Sequence, residues 1–166
     1  MTVIVREAGL ADVDGLVDVL LSVVYAGASV GFMSTLSREE AASFWSSHLA
    51  SASNVVLVLE DDGAVLGTAT LSLSGMPNGR HRAEVAKVLV RTDAQGRGLG
   101  RVLLRSVEAA ASLRGRRTLV LDTVSGSPAQ RLYESEGWQV VGEIPDYADL
   151  PDGTPSPTTY LFKQLA

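Results

Sequence analysis

"RTDAQGRGLGRVLL", Arg91 to Leu104, places Gly96, Gly98 and Gly100 at alternate positions directly before an apolar run with helical spacing. One glycine in a loop needs no special reason. Three within five residues, beside Arg97 and Arg101, predict a backbone brought close to an anion. Glycine has no Cβ to keep a ligand away, and the start of a helix aims its free N–H groups outward.

The segments on either side decide the fold. "RAEVAKVLV" (Arg82–Val90) reads as a strand before the loop. A helix follows from about Leu99 to Leu113, then the strand "RTLVLDT" (Arg117–Thr123). Two strands joined through a helix should lie parallel, connected by a right-handed crossover. Towards the N-terminus, "NVVLVLE", the turn "DDG" and "AVLGTATLSL" read as a hairpin. Before it, Ser37 and Glu40 form a capping box for a helix through Trp45 and Leu49. From Asp12, a candidate N-cap, Val13, Leu16, Val17, Leu20, Leu21 and Val24 keep helical spacing, and "TVIVREA" reads as a first strand. After Thr123 come a short helix around "PAQRLYESEG", the strand "WQVVGEI", a Pro-rich loop and the last strand "TTYLFKQL". The order β-α-α-β-β-β-α-β-α-β-β predicts an α/β fold with a mixed sheet of about seven strands.

Three phosphate-binding patterns compete for the glycines. A P-loop requires Gly-Lys followed by Ser or Thr, and neither follows here. A dinucleotide fingerprint requires a third glycine where Arg101 stands. Asp122 does lie at the end of a strand about 20 residues on, but "RTDAQ" separates the glycines from their own strand. The third pattern, Gln/Arg-x-x-Gly-x-Gly/Ala, is met by Gln95, Gly98 and Gly100 and describes a pyrophosphate loop.

Composition narrows the ligand. The 166 residues suit one domain, 1–166, with 46% hydrophobic and 20% charged residues, a globular balance. A net charge of −5 argues against nucleic acid as the main partner. Seven arginines between Arg91 and Arg117 concentrate the positive charge, which suits a small anionic ligand. The absence of cysteine excludes disulfides, thiolate metal sites and a cysteine nucleophile. No apolar run approaches the roughly 18 residues of a membrane span, and the N-terminus lacks the features of a signal peptide. The expectation is a soluble, cytoplasmic protein, monomeric or homodimeric, with no membrane partner. His48 and His81 lack acids at ligand spacing, so no metal site is expected; His48 is placed on a helix surface.

With strand, loop and helix in register, "VLVRTDAQGRGLGRVLL" resembles the acetyl-CoA segment of the GNAT acyltransferase superfamily. "LDTVSGSPAQRLYESEGW" resembles the family's next strand and short helix. "GASVGFM", "LSLSGMPNGRHRAEV" and "PDGTPSPTTYLFKQL" make the chain most similar to the tabtoxin-resistance acetyltransferases within it. The resemblance implies a mixed, mostly antiparallel sheet with a parallel pair around the CoA-binding helix, and acetyl-CoA as acetyl donor. It also implies a small amino-acid-like acceptor with an amine or hydroxyl, such as a toxin or antibiotic. Gln95, Gly96, Arg97, Gly98, Leu99, Gly100 and Arg101 would hold the pyrophosphate, and the backbone of Val88, Leu89 and Val90 the pantetheine arm and thioester carbonyl. Arg97 and Arg101 could equally be solvated side chains. An asparagine common in the family is Gly126 here, leaving its contact to Ser125 or Ser127, or missing.

Acetyl transfer to an amine needs a proton acceptor for the amine and help for the leaving thiolate. The resemblance makes Tyr133 the candidate acid; a ring packed on the sheet is the alternative. Glu84 and Asp122 interrupt apolar strands predicted to be neighbours, and one or both would accept the amine proton. Edge carboxylates, or pairs with Arg82 or Arg117, are the alternative. Counting along the strand puts Lys87 on the face opposite Glu84, at the surface. "GASVG", Gly27–Gly31, fits a hydrolase nucleophile elbow, but a helix precedes it where that elbow needs a strand. Within the acetyltransferase reading, Ser29, Phe32 and Met33 would wall the acceptor pocket. Without a cysteine, transfer would be direct, in a ternary complex. A protein N-terminus as acceptor, or an acyl-CoA sensor without turnover, are the rival functions.

Overall fold

The computed structural model describes residues 2–166, and its elements follow the predicted order. They are β1 (Val3–Glu7), α1 (Val13–Tyr25), α2 (Arg38–Ala50), β2 (Asn54–Asp61), β3 (Ala64–Leu73) and β4 (Arg82–Val90). After the glycine loop come α3 (Leu99–Leu113), β5 (Thr118–Val124), α4 (Pro128–Ser135), β6 (Gln139–Asp149) and β7 (Pro155–Gln164). The strands form a seven-stranded sheet in the order β1-β2-β3-β4-β5-β7-β6. Every pairing is antiparallel except β4 with β5, the pair that flanks α3.

Local chemistry explains most of these elements. Asp62 and Gly63 both have positive φ, 49° and 80°, which suits the two-residue turn joining β2 to β3. Ser37 accepts the Glu40 N–H at 3.1 Å while Glu40 Oε2 accepts the Ser37 N–H at 2.8 Å, the reciprocal cap read from the sequence. Asp12 does not cap α1. Its carboxylate pairs with Arg6 at 2.8 Å and accepts the Gly9 N–H, pinning the chain between β1 and α1.

Two apolar layers enclose the sheet. On one face α3 buries Leu103, Leu104 and Val107 completely, against Leu57, Leu71, Val85, Leu119 and Leu121. On the other, α1 and α2 bury Leu16, Leu20 and Trp45 against Val56, Val58 and Leu89. Each fully buried leucine contributes about 1.5–3 kcal/mol through removal from water.

Val85 and Leu89 lie four residues apart on β4, yet they join opposite layers. An uninterrupted strand would put them on one face. The reversal comes from a bulge: Thr68 faces Leu89 and Thr70 faces Ala86, so Lys87 and Val88 both oppose Ala69. Lys87 takes a left-handed φ of 53° to make the extra step. Next to the bulge, Gly67 allows a close approach of β3 to β4. A Cβ there would stand 2.8 Å from the Leu89 carbonyl oxygen and 2.9 Å from Leu103 Cδ1. Gly67→Ala is therefore expected to destabilise the fold by about 1–3 kcal/mol, since a backbone oxygen cannot swing aside. A melting curve should fall by about 2–4 °C per kcal/mol; an unchanged midpoint would mean that the two strands separate easily here.

The Pro-rich segment expected as a loop is instead the tip of a hairpin. β6 runs through Pro145 to Asp149, and β7 begins at Pro155 rather than at Thr158. β6 is the sheet's edge, so a missing proline N–H breaks no ladder there, and a register shift between Ile144 and Ala148 absorbs Pro145. Pro155 and Pro157 lie beyond the end of β5, which pairs with β7 only as far as Thr158.

Candidate active site

β4 and β5 pair over only three positions, Arg82 with Thr118 through Glu84 with Val120. Past them the strands part, and Val85–Val90 has no partner on its β5 side. The parting opens a cleft of about 880 Å³ through the middle of the sheet, within the usual range for a small-molecule site. Gln95, Gly96, Gly98 and Gly100 form one end of it, and Glu84, Asp122 and Tyr133 also line it.

The glycine loop has the conformation that its residues predict. Gly96 and Gly98 have φ of 77° and 76°, and a Cβ at either would meet no atom within 4 Å. The loop therefore faces open space in a backbone conformation that side chains disfavour. Gly98 immediately precedes the 15-residue α3, so free N–H groups and the positive end of the helix dipole share one spot. Gln95 Nε2 donates to the Val90 carbonyl at 3.0 Å, tying the loop back to β4. The observed cradle, open space over glycine N–H groups at a helix start, fits the pyrophosphate of coenzyme A. The two arginines are engaged within the chain. Arg101 donates to Glu136 at 2.6 Å and to Ser135, while Arg97 lies 3.5 Å from Asp61. Val88, Leu89 and Val90 line the cleft along the unpaired edge of β4, and Leu99 and Arg101 line its loop end.

Tyr133 sits on α4, which Ser127 caps by accepting the Gln130 N–H at 3.2 Å and Pro128 opens. Its ring is buried with 6% exposure and packs 6.0 Å from Trp138, yet its hydroxyl has no hydrogen-bond partner among the described residues. Burial, with a smaller push from Asp122, raises its pKa to about 12. The phenol therefore keeps its proton and can donate a hydrogen bond into the cleft at any physiological pH.

Asp122 lies beside the Thr158 hydroxyl at 2.8 Å, and that hydroxyl is also 2.9 Å from the Thr123 carbonyl. Glu84, at the last paired position of β4, is exposed rather than buried. Neither carboxylate forms an ion pair with Arg82 or Arg117. Both share the cleft with Tyr133. Tyr147 also lines the cleft; its hydroxyl lies 2.7 Å from that of Tyr160, and that bond raises the Tyr160 pKa to about 12.

Of the expected acceptor wall, Ser29 lines the cleft and follows α1, a helix. Phe32 stands behind, edge-on to Phe44 at 5.0 Å, and Met33 is 43% exposed and does not line the cleft. At the glycine that replaces the family's asparagine, the neighbouring serines have internal partners. Ser125 bonds Thr159 at 2.7 Å, and Ser127 caps α4 while lining the cleft.

Two further residues depart from their expected places. The bulge turns Lys87 into the cleft instead of onto the surface. His48 is half-buried, stacked 5.0 Å from Phe44 and hydrogen-bonded to Thr70 at 3.0 Å. Burial, and after it the charge of Lys87, lowers its pKa. Thr158 and Tyr147, which also line the cleft, carried no motif in the sequence; the β6–β7 hairpin alone brings them here.

No helix among the described residues is long and apolar enough to cross a membrane. Four comparisons bear on the cleft. A segment of 83 residues, 49% of this chain, is 37% identical to the N-acetylaspartate synthetase of Danio rerio, and covers 29% of that protein's length. A solved structure assigned as a phosphinothricin N-acetyltransferase superposes with a TM-score of 0.86 over 99% of both chains at 23% identity, a likeness of fold. A structure from Salmonella typhimurium, described as an acetyltransferase with its cofactor acetyl-CoA, superposes with a TM-score of 0.82 at 25% identity, covering 100% of this chain and 95% of the other. The family model "Acetyltransferase (GNAT) family" matches residues 24–138, from the end of α1 to Trp138, and so takes in the parting of β4 and β5, the glycine loop and Tyr133. The chain belongs to the acetyltransferase (GNAT) family of acetyl-CoA-dependent acyltransferases.

Proposed function

We propose that residues 1–166 act as one N-acetyltransferase domain that acetylates the amine of a small amino-acid-like compound. The observation that carries this reading is the shared cleft: an anion cradle at one end, and two carboxylates with a proton-bearing phenol further along it. Acetyl-CoA supplies an activated acetyl thioester. Gln95–Arg101 would hold its pyrophosphate, and the unpaired edge of Val88, Leu89 and Val90 would hold its arm. Glu84 or Asp122, directly or through water, accepts the proton that makes the amine nucleophilic. Tyr133 donates a hydrogen bond where negative charge gathers on the leaving sulfur. A phenol near pKa 12 holds its proton more firmly than a thiol at about 8.5, so it stabilises charge without giving the proton up outright. With no cysteine in the chain, the amine attacks directly.

The name of the Danio rerio relative supports an amino-acid acceptor. A resistance role against a toxin or antibiotic belongs to the narrower resemblance to tabtoxin-resistance enzymes. The binding half of the reading is tested by thermal melting. Acetyl-CoA and CoA at about 100 times the dissociation constant are expected to stabilise the chain by roughly 2.7 kcal/mol, and NAD and ATP by far less. Stabilisation by NAD but not by CoA would sink the reading. Thiol release over a panel of amines tests turnover, and the absence of protein cysteine keeps its background low.

A further inference from the structure

We propose that Lys87 binds the carboxylate of the acceptor, so that the cleft selects compounds carrying an amine and a carboxylate on one small skeleton. This deepens the acetyltransferase reading and rests on it.

The placement of Lys87 is unusual in three respects. Its backbone is in the left-handed region at a bulge, a conformation that a non-glycine residue adopts at a cost and that clusters at functional sites. The bulge turns the side chain inward, where it lines the cleft with Glu84 and Asp122. Its ammonium, largely withdrawn from water, forms neither an ion pair nor a hydrogen bond among the described residues. It lies over two aromatic rings instead, 5.9 Å from the centre of Phe32 and 5.7 Å from that of Phe44, beside Gly31.

Ring faces offset only part of the cost of desolvating an ammonium. Burial accordingly lowers the Lys87 pKa, while Asp122 and Glu84 hold it up from a distance. An anion entering the cleft would supply the missing partner. The coenzyme's phosphates have their own cradle at Gln95–Arg101, after the end of β4, whereas Lys87 precedes that end and meets the loop after α1. Arg101, at the loop end of the cleft, is held by Glu136; away from that end the cleft presents Lys87, Glu84 and Asp122 to whatever enters it. An amino acid presents the complementary charges: its carboxylate to Lys87, its amine to Glu84 and Asp122. A peptide N-terminus has a neutral amide where the amino acid has its carboxylate, and would leave Lys87 unpaired.

The test uses the purified full chain with saturating acetyl-CoA, thiol release as readout, and a panel of L-amino acids each paired with its carboxamide. Wild type is expected to show a KM at least tenfold lower for the free acid than for the amide. Lys87→Met should raise the KM of the acid at least tenfold and leave the amide and the affinity for CoA unchanged; Lys87→Arg should keep the preference. Equal KM values for acid and amide in wild type overturn the proposal while acetyl transfer stands. A preference that survives in Lys87→Met also overturns it, and so does a loss of CoA affinity equal to the loss for the acid, which marks a structural clamp. If nothing in the panel turns over, melting of the CoA complex decides. Free acids must then stabilise wild type and not Lys87→Met, and the absence of that difference overturns the assignment. Failure of every amine to release thiol counts separately, against acetyl transfer itself.

Discussion

Gly98→Val loses CoA binding by about 100-fold while the protein stays folded. The two halves of that result have different causes. Gly98 has φ of 76°, and a β-branched residue in that region is a genuine outlier, with a strain of roughly 1–2 kcal/mol. Melting should therefore fall a few degrees, at about 2–4 °C per kcal/mol. A Cβ at Gly98 meets no protein atom within 4 Å, so the substitution obstructs nothing in the chain itself. It obstructs the approach of a pyrophosphate to the N–H groups ahead of α3. Losing one or two hydrogen bonds to a charged group, at about 1.5–3 kcal/mol each, corresponds to roughly a 100-fold change. Gly98→Ala carries the backbone strain with less bulk and should fall between. Calorimetric titration with CoA measures both variants. A folded Gly98→Val that binds CoA within threefold of wild type would make the glycine structural and leave the cradle without its role.

The glycine loop was legible because its demand is local. Positive φ, a helix start and a preceding strand leave marks within a dozen residues, and Arg82–Val90 and Leu99–Leu113 were read with their observed limits. The Asp62-Gly63 turn was legible for the same reason. The bulge at Lys87 and Val88 was not. It inserts one residue into an apolar run in which Val85 and Leu89 are both buried, so the sequence carries no gap that would betray the reversal of faces. Counting by twos from Glu84 then sends Lys87 to the wrong side. The β6–β7 extension was obscured by Pro145, Pro155 and Pro157, which mark a loop anywhere except on an unpaired edge. His48 was misplaced because the apolar residues of α2, such as Ala42, Phe44, Trp45 and Leu49, mark no clear face in its sequence. Its inward face is defined by Phe44, Trp45 and the sheet position of Thr70, which no local pattern reveals. Glu84 and Asp122 were singled out because an ionisable group on an apolar strand needs a reason, and Tyr133 through the family resemblance. Their convergence depends on β4 and β5 parting just after Glu84.

That convergence gives the second large effect, in which the proton acceptor and the hydrogen-bond donor respond differently to pH. A carboxylate base makes kcat/KM rise with pH and level off. Removing the true base, by Glu84→Gln or Asp122→Asn, should lower the level by about 100-fold or more and abolish or shift the rising limb. Tyr133→Phe should behave otherwise. Its pKa is raised to about 12, so the phenol is protonated throughout pH 6–10 in wild type and contributes no limb there. Its loss should lower kcat by about 10–100-fold at every pH in that range, with the affinity for acetyl-CoA nearly intact. Asp122→Asn removes the anion that adds to the Tyr133 shift, but burial is the larger cause and still keeps the phenol protonated. The pH profile of that variant therefore reports on the base alone. Glu84 and Asp122 line one cleft, so either can take the proton when the other is removed, and the double variant has to be measured with the single ones. If both single variants and the double keep the wild-type profile, solvent takes the amine proton and neither carboxylate is the base.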